Sequence, residues 1–235
     1  MKEAIVVLTC PKFEDRSKAC RDAWADASTV PVYFLTGSYL GCQETDEIYR
    51  LLPRKTAAMV KWALDMGFDR VFKCDDDVMV VPSNILPPKG SDYSGLCLSN
   101  NSHAAFARGF FYHLSRRSLE VLAVATPAPE RLWAEDRWVA RSLSVAGIRV
   151  MADERVCAGF SETFRGRNLR GINRQFCAAA EFRPEELCQF SDALRSGKLW
   201  DKKFLCTPQY ENWFSEYHAR TLEKRIRFRS LGKNI

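Results

Sequence analysis

Short apolar runs alternate with amphipathic stretches along most of this chain. Residues 5–8 (Ile-Val-Val-Leu) form an unbroken apolar run of strand length, ended by Thr9-Cys10-Pro11. Residues 30–35 form a second such run, closed by Thr36-Gly37, and residues 71–74 form a third. Between these runs the spacing turns helical. Residues 15–24 predict a helix capped by Asp15 with a basic face. Residues 46–52 lead through Pro53 into a strong helix over 55–66, ended by Gly67. Pro82, Pro87, Pro88 and Gly90 predict a loop.

The second half continues the alternation. Residues 93–98 and 110–114 read as strands, and Ser115 as the cap of a helix to about residue 125, broken by Thr126-Pro127-Ala128-Pro129. Residues 133–146 predict a helix ended by Gly147, followed by a strand over 148–151. Helical pieces follow at 184–194 and 210–227. The pattern predicts an α/β domain over residues 1–183, its mixed, mostly parallel sheet flanked by helices. A partly helical C-terminal extension, 184–235, is expected to pack on the same domain.

Composition narrows the class. Of 235 residues, 46% are hydrophobic and 27% charged, ample material for a globular core. No apolar run approaches the roughly 18 residues of a membrane span. The N-terminus enters a strand pattern at once, and its apolar stretch is too short for a signal peptide. Nine cysteines, an odd count with no C-x-x-C spacing, argue against a zinc site or a dense disulfide framework. Reduced thiols in a cytoplasm fit best, with a membrane anchor trimmed away upstream as the alternative.

The net charge of +6 lies largely in two runs, Arg165-Gly166-Arg167-Asn168-Leu169-Arg170 and Lys224-Arg225-Ile226-Arg227-Phe228-Arg229. Such runs face nucleic acid, an anionic membrane, a ligand diphosphate or simply solvent. No nucleic-acid partner is expected, and the C-terminal run is a candidate for peripheral membrane contact.

The richest chemistry is at the end of the third strand, where Asp75, Asp76 and Asp77 stand in succession. Crowded carboxylates need a cation or open solvent. Strand alternation predicts Asp75 and Asp77 on one face and Asp76 on the other. Two carboxylates on one face suit a hard divalent ion with positions left for a diphosphate, and the carboxyl ends of strands are where α/β sheets bind ligands. A solvated acidic turn is the simpler alternative. Glu135 and Asp136 fall in the first turn of a helix, as partners of the helix dipole or as a general base. Arg16, Arg21 and Lys55 suit charge-assisted bonds to phosphate or plain surface charge. Gly109 allows a close backbone approach or marks a turn. Trp24 and Trp62 read as core aromatics.

Five segments in order resemble the inverting β-1,3-glycosyltransferases of the galactosyltransferase and fringe type. Arg21-Asp22-Ala23-Trp24, preceded by Arg16, resembles R-x-x-W. Tyr49, Leu52, Lys55 and Thr56 agree with Y-x-N-L-T-L-K-T, with Leu51 in place of Asn. Lys73-Cys74-Asp75-Asp76-Asp77-Val78 resembles K-x-D-D-D-V closely. Gly109-Phe110-Phe111-Tyr112-His113-Leu114-Ser115 resembles G-G-x-Y-x-L-S, and Glu135-Asp136-Arg137 resembles E-D-V. The likeness spans roughly residues 4–160.

The resemblance implies a GT-A type fold and transfer of a hexose from a UDP-sugar to a hydroxyl of a glycan or glycosylated acceptor, with inversion. It implies Asp136 as general base, with Asp77 and Asp75 holding Mn²⁺ or Mg²⁺. Glu181 stands near the place of the family's late metal-ligating histidine; His218 is the only late histidine and its surroundings match poorly. Thr9, Arg16, Arg21, Lys55, Asp75, Asp76 and Gly109 are the expected contacts of the nucleotide-sugar donor. Three rivals remain: a retaining transferase on the same fold, a sugar nucleotidyltransferase, and a non-catalytic nucleotide-sugar or glycan-binding module. A haloacid-dehalogenase-type phosphatase fits less well, since its D-x-D ends the first strand, where this chain has Thr9-Cys10-Pro11.

Overall fold

The structure is a computed structural model that describes residues 1–42, 52–100, 103–127, 134–157, 177–179 and 182–196. Its frame is a six-stranded sheet. Strands β1 (Glu3–Leu8), β2 (Val32–Leu35) and β3 (Arg70–Asp75) are parallel, with β1 between the other two. β3 then pairs antiparallel with β6 (His103–Ser115), β6 antiparallel with β5 (Tyr93–Asn100), and β5 parallel with β7 (Met151–Ala152). The sheet is thus mixed and mostly parallel, as the alternation predicts. A small second sheet joins β4 (Met79–Val80), β9 (Ala178–Ala179) and β8 (Val156–Cys157) in that order.

Alternation along the strands builds a core on each face. On one side Ile5 and Val7 of β1 and Phe72 and Cys74 of β3 pack against α1 (Glu14–Cys20) and α5 (Pro184–Arg195). Leu187, Phe190 and Ala193 carry α5 into this core, and the Ser191 hydroxyl donates to the Ala23 carbonyl. On the other side Ala4, Val6 and Val71 pack against α2 (Leu52–Asp65), α3 (Arg116–Val124) and α4 (Glu135–Val145). Met59, Val60 and Ala63 face inward from α2, at helical spacing. Gly67 and Gly147 stop α2 and α4 in the left-handed region, at φ 73° and 75°. Among the described residues no helix is long and apolar enough to cross a membrane.

Several boundaries differ from the predicted ones. Asp15 lies inside the first turn of α1; the cap position is Phe13 and makes no side-chain bond. The predicted 15–24 helix changes character at Arg21, where a π turn (Arg21–Ala25) takes over. The strand expected at 148–151 begins only at Met151, because Gly147 and Ile148 still donate to the Ser144 and Leu143 carbonyls of α4. β6 runs seven residues further toward the N-terminus than its predicted start at 110. Ser115 does cap α3, accepting from the Ser118 N–H at 3.3 Å.

Candidate active site

The parallel strands β1, β2 and β3 end side by side, at Leu8, Leu35 and Asp75. Thr9 follows β1 and Asp76 follows β3, so the two sit together at the carboxyl edge of the sheet. The Thr9 hydroxyl donates to Asp76 Oδ2 at 2.7 Å and exchanges a second 2.7 Å bond with the Ser17 hydroxyl. Lys55, buried near the start of α2, donates its ammonium to the Thr9 carbonyl. Arg16, on α1, stacks over Phe13 at 4.2 Å and approaches Asp76 at 3.5 Å and Asp77 at 3.7 Å.

The strand ends at Asp75, and Asp76 and Asp77 form a turn. This overturns the expected pairing of Asp75 with Asp77 on one face. Asp75 stays on the α4 side, where it accepts from the Lys73 ammonium, whereas Asp76 and Asp77 both turn toward Arg16 on the α1 side. The turn is tied down from beneath: the Cys20 thiol donates to the Asp76 carbonyl at 3.3 Å and Trp24 Nε1 to the Val78 carbonyl at 3.0 Å. The π turn that carries Trp24 is therefore the wall of the site. Burial raises the Asp76 carboxyl pKa, opposed by the Thr9 hydroxyl and by Arg16.

A second cluster joins β3, β6 and α4. Lys73 is fully buried, and its ammonium donates to Asp75 and to the Gly109 carbonyl. Burial favours the neutral amine, yet Asp75 and Glu135 outweigh it and hold the Lys73 pKa above its ordinary value. Glu135, also buried, accepts from the Tyr112 hydroxyl. Burial lifts its carboxyl to about 7, against the pull of Lys73 and Tyr112. Asp136 is only half-buried; its carboxylate accepts from its neighbour's N–H at Arg137, 2.8 Å away. Burial raises its pKa, offset first by that Arg137 N–H, then by Lys73 and the Gly109 N–H. The helix start alone does not set its charge.

One solved structure shares most of this architecture. The fold is similar to that of a glycosyltransferase. That protein is a glycosyltransferase involved in the glycosylation of the major capsid of PBCV-1, matched with a TM-score of 0.56 and 11% sequence identity over 82% of this chain and 99% of that one. A second structure, A197 from STIV, aligns over 65% of this chain and 82% of its own at a TM-score of 0.39, also with 11% identity. No protein-family model matches the chain, and no curated protein matches it.

Within this glycosyltransferase-like fold, the residues singled out in the sequence form two clusters, with others apart from both. Thr9, Arg16, Lys55, Asp76 and Asp77 meet at the carboxyl edge, and Asp75, Gly109 and Asp136 meet around Lys73. Arg21 goes elsewhere: its guanidinium lies 3.9 Å from the Phe34 ring on β2. Glu181, Tyr49, His218 and both basic runs lie outside the described residues. Trp24 is core, as expected, while Trp62 sits at the core's margin against Tyr33 and Phe68.

Among the described residues no three acidic, histidine or cysteine side chains are arranged to hold a metal ion. The donors present are nonetheless of the right kind. Asp75 and Asp77 are oxygen donors with side chains 36% and 21% exposed, and Phe182, next in sequence to Glu181, donates its N–H to the Asp77 carbonyl. Carboxylate oxygens are the donors a hard cation takes, but with Asp75 on the α4 side and Asp77 on the α1 side they do not converge on one point here.

Lys73 and Glu135 are the functional groups that sequence reasoning underrated. A lysine at an inward position of an apolar strand was the visible signal, because a buried ammonium needs an anion opposite it.

Proposed function

We propose that this chain is a metal-dependent inverting glycosyltransferase of the galactosyltransferase and fringe type. It moves a hexose from a UDP-sugar to a hydroxyl of a glycan or glycosylated acceptor. The observation that carries the reading is the placement of Asp136. It is the half-buried member of an acid pair whose other member is sealed in the core, and Lys73 links its neighbourhood to the donor-side carboxylate Asp75. The similar fold of a known glycosyltransferase supports the coarser part of the reading, glycosyl transfer.

Inversion requires one base and one direction of attack. Asp136 takes the proton of the acceptor hydroxyl as that oxygen attacks the anomeric carbon, on the side opposite the leaving diphosphate. A raised carboxyl pKa makes Asp136 a stronger base, and the Arg137 N–H keeps it aimed. Arg16 and Lys55 supply cationic donors at the strand ends, where the diphosphate would lie, and Thr9 orients Asp76. Mn²⁺ or Mg²⁺ would be held by Asp75, Asp77 and Glu181 only with the first two carboxylates drawn together from opposite sides of the strand end. Such an ion neutralises charge on a leaving diphosphate.

The test is a thermal-shift screen of UDP, GDP and CDP sugars, with and without Mn²⁺, followed by the anomeric configuration of any product. A ligand that binds only the folded state raises its melting temperature by mass action. Stabilisation by a UDP-sugar that needs Mn²⁺, with an inverted product, is expected. No response to any nucleotide sugar would overturn the reading. A retained product would replace it by a retaining transferase, and pyrophosphate release by a nucleotidyltransferase.

A further inference from the structure

Gly109 lies where the sheet is irregular. The β5–β6 register passes from Gly95 opposite Tyr112 to Cys97 opposite Ala107, two steps on β5 against five on β6. Residues 108–111 therefore bow out of the β5 ladder, at the level where β3 reaches its end opposite Phe111. Bulges re-aim backbone groups beside functional sites.

Three groups converge on the bowed backbone at Gly109. Its carbonyl accepts from the buried Lys73 ammonium, which also holds Asp75. Its N–H faces the Asp136 carboxylate and favours the charged form. The space a Cβ would take is filled: an ideal Cβ would lie 2.8 Å from Glu135 Oε2 and 3.7 Å from Asp136 Cβ. Glu135 cannot easily withdraw, because its other oxygen is held by Tyr112 in the core. The sequence leaves open whether this glycine admits a sugar or marks a turn; here the vacant side of its Cα is occupied by the acid pair itself.

We propose that Gly109, Lys73 and Glu135 are positioning residues that fix Asp136 against the donor-side carboxylate Asp75, and that position 109 is glycine to seat the acid pair rather than to admit the donor sugar. The inference rests on the assignment of Asp136 as the base. A methyl group at 109 crowds the Glu135 carboxylate, whose other oxygen Tyr112 holds, and so shifts the acid pair, Asp136 with it. Misplacement of a reacting group by about 1 Å costs roughly 10²-fold in rate. Glu135 acts through charge: when ionised it opposes ionisation of Asp136, while Lys73 and Arg137 favour it.

The experiment follows UDP release to water from UDP-glucose, UDP-galactose and UDP-N-acetylglucosamine with Mn²⁺, as a function of pH, alongside calorimetry with UDP and Mn²⁺. The variants are Gly109→Ala, Glu135→Gln and Asp136→Asn. For Gly109→Ala we expect UDP affinity within about twofold of the original, unchanged donor KM, and kcat lowered tenfold or more. For Glu135→Gln we expect the change in kcat near pH 7, where Glu135 ionises beside Asp136, to disappear. A merely structural role would lower melting temperature without removing that change near pH 7. Loss of UDP affinity or a raised donor KM in Gly109→Ala would overturn the proposal in favour of a donor contact. So would normal kcat in Gly109→Ala alongside an impaired Asp136→Asn, which leaves the base assignment intact. An unimpaired Asp136→Asn, or no UDP release by the unmodified protein from any donor, would overturn both.

Discussion

The backbone N–H of Phe182 donates to the carbonyl of Asp77 at 3.0 Å, so the chain entering α5 is bonded to the aspartate turn across more than a hundred residues of sequence. Phe182 is buried in the same core as Phe190, with ring centroids 5.3 Å apart, and as Ile85, Met79 and Val78 beside the turn. The turn is therefore supported from both ends of the chain: by Trp24 and Cys20 near the N-terminus and by Phe182 near the C-terminus.

Phe182→Ala should consequently do two things. Emptying a buried phenylalanine site costs about 3–5 kcal/mol, read as a lowered urea midpoint at unchanged slope. It should also weaken nucleotide binding: alanine keeps the backbone N–H, but without the ring packed against Phe190 the segment that carries it is held less firmly against Asp77. A variant destabilised to this degree but with unaltered affinity for UDP and Mn²⁺ would show that the packing of the Phe182 ring does not shape the site.

Asp77→Ala tests the metal reading. Asp77 is partly exposed and stands at a surface turn, so the fold should survive its removal. UDP binding that depends on Mn²⁺ should be lost, and whatever affinity remains should be insensitive to chelator. Calorimetry with UDP, with and without Mn²⁺, reads both. Unchanged Mn²⁺-dependent affinity would take Asp77 out of the ligand set.

Much of this arrangement was legible in the sequence because apolar runs and turn residues report burial directly. The runs at 5–8 and 71–74 and the cap at Ser115 are such features, and the structure reproduces them. Side-chain direction past a strand end is not legible in that way. Alternation predicted Asp77 beside Asp75, but the period of two ends with the ladder at Asp75, and Arg16 draws Asp76 and Asp77 together on the α1 side. The bulge at 108–111 was also hidden, since its register depends on the partner strand β5 rather than on local composition. The pairing of Lys73 with Glu135 joins residues 62 positions apart, and only the lysine's burial in an apolar strand hinted at it.

Glu135 makes stability depend on pH in an unusual direction for an acid. Its folded pKa, about 7, lies above the ordinary value of 4.5, so between these pH values the folded state holds a proton that the unfolded state has lost. Its contribution is fully present below 4.5 and is lost as pH rises through 7, with a slope of at most about 1.4 kcal/mol per pH unit. His113 works oppositely: burial lowers its pKa to about 3, so it erodes stability as pH falls below 6.5. Glu135→Gln should remove the first slope and leave the second. Urea midpoints measured at pH 5, 6, 7 and 8 should then fall less steeply toward alkaline pH in the variant. Parallel profiles for the two proteins would mean that Glu135 stays ionised in the folded state.

The two acids at the start of α4 should part company in the chemical step. Helix geometry separates adjacent side chains by about 100°, and here that rotation sends Glu135 into the core and leaves Asp136 half-exposed. An acceptor hydroxyl can reach only the second. Asp136→Asn keeps the shape and the Gly109 contact but takes no proton, so UDP release should fall by roughly 10² or more while affinity for UDP with Mn²⁺ is preserved. Glu135→Gln retains an acceptor for the Tyr112 hydroxyl and should cost only severalfold at the pH optimum, about 1 kcal/mol in the barrier. Saturating UDP-sugar in single-turnover format separates this loss from slow product release. A dead Glu135→Gln beside a near-normal Asp136→Asn would place the base inside the core cluster, with Tyr112 as its route to the substrate. Near-normal turnover in both would remove the pair from the reaction and leave a retaining transferase, which needs no base in this position.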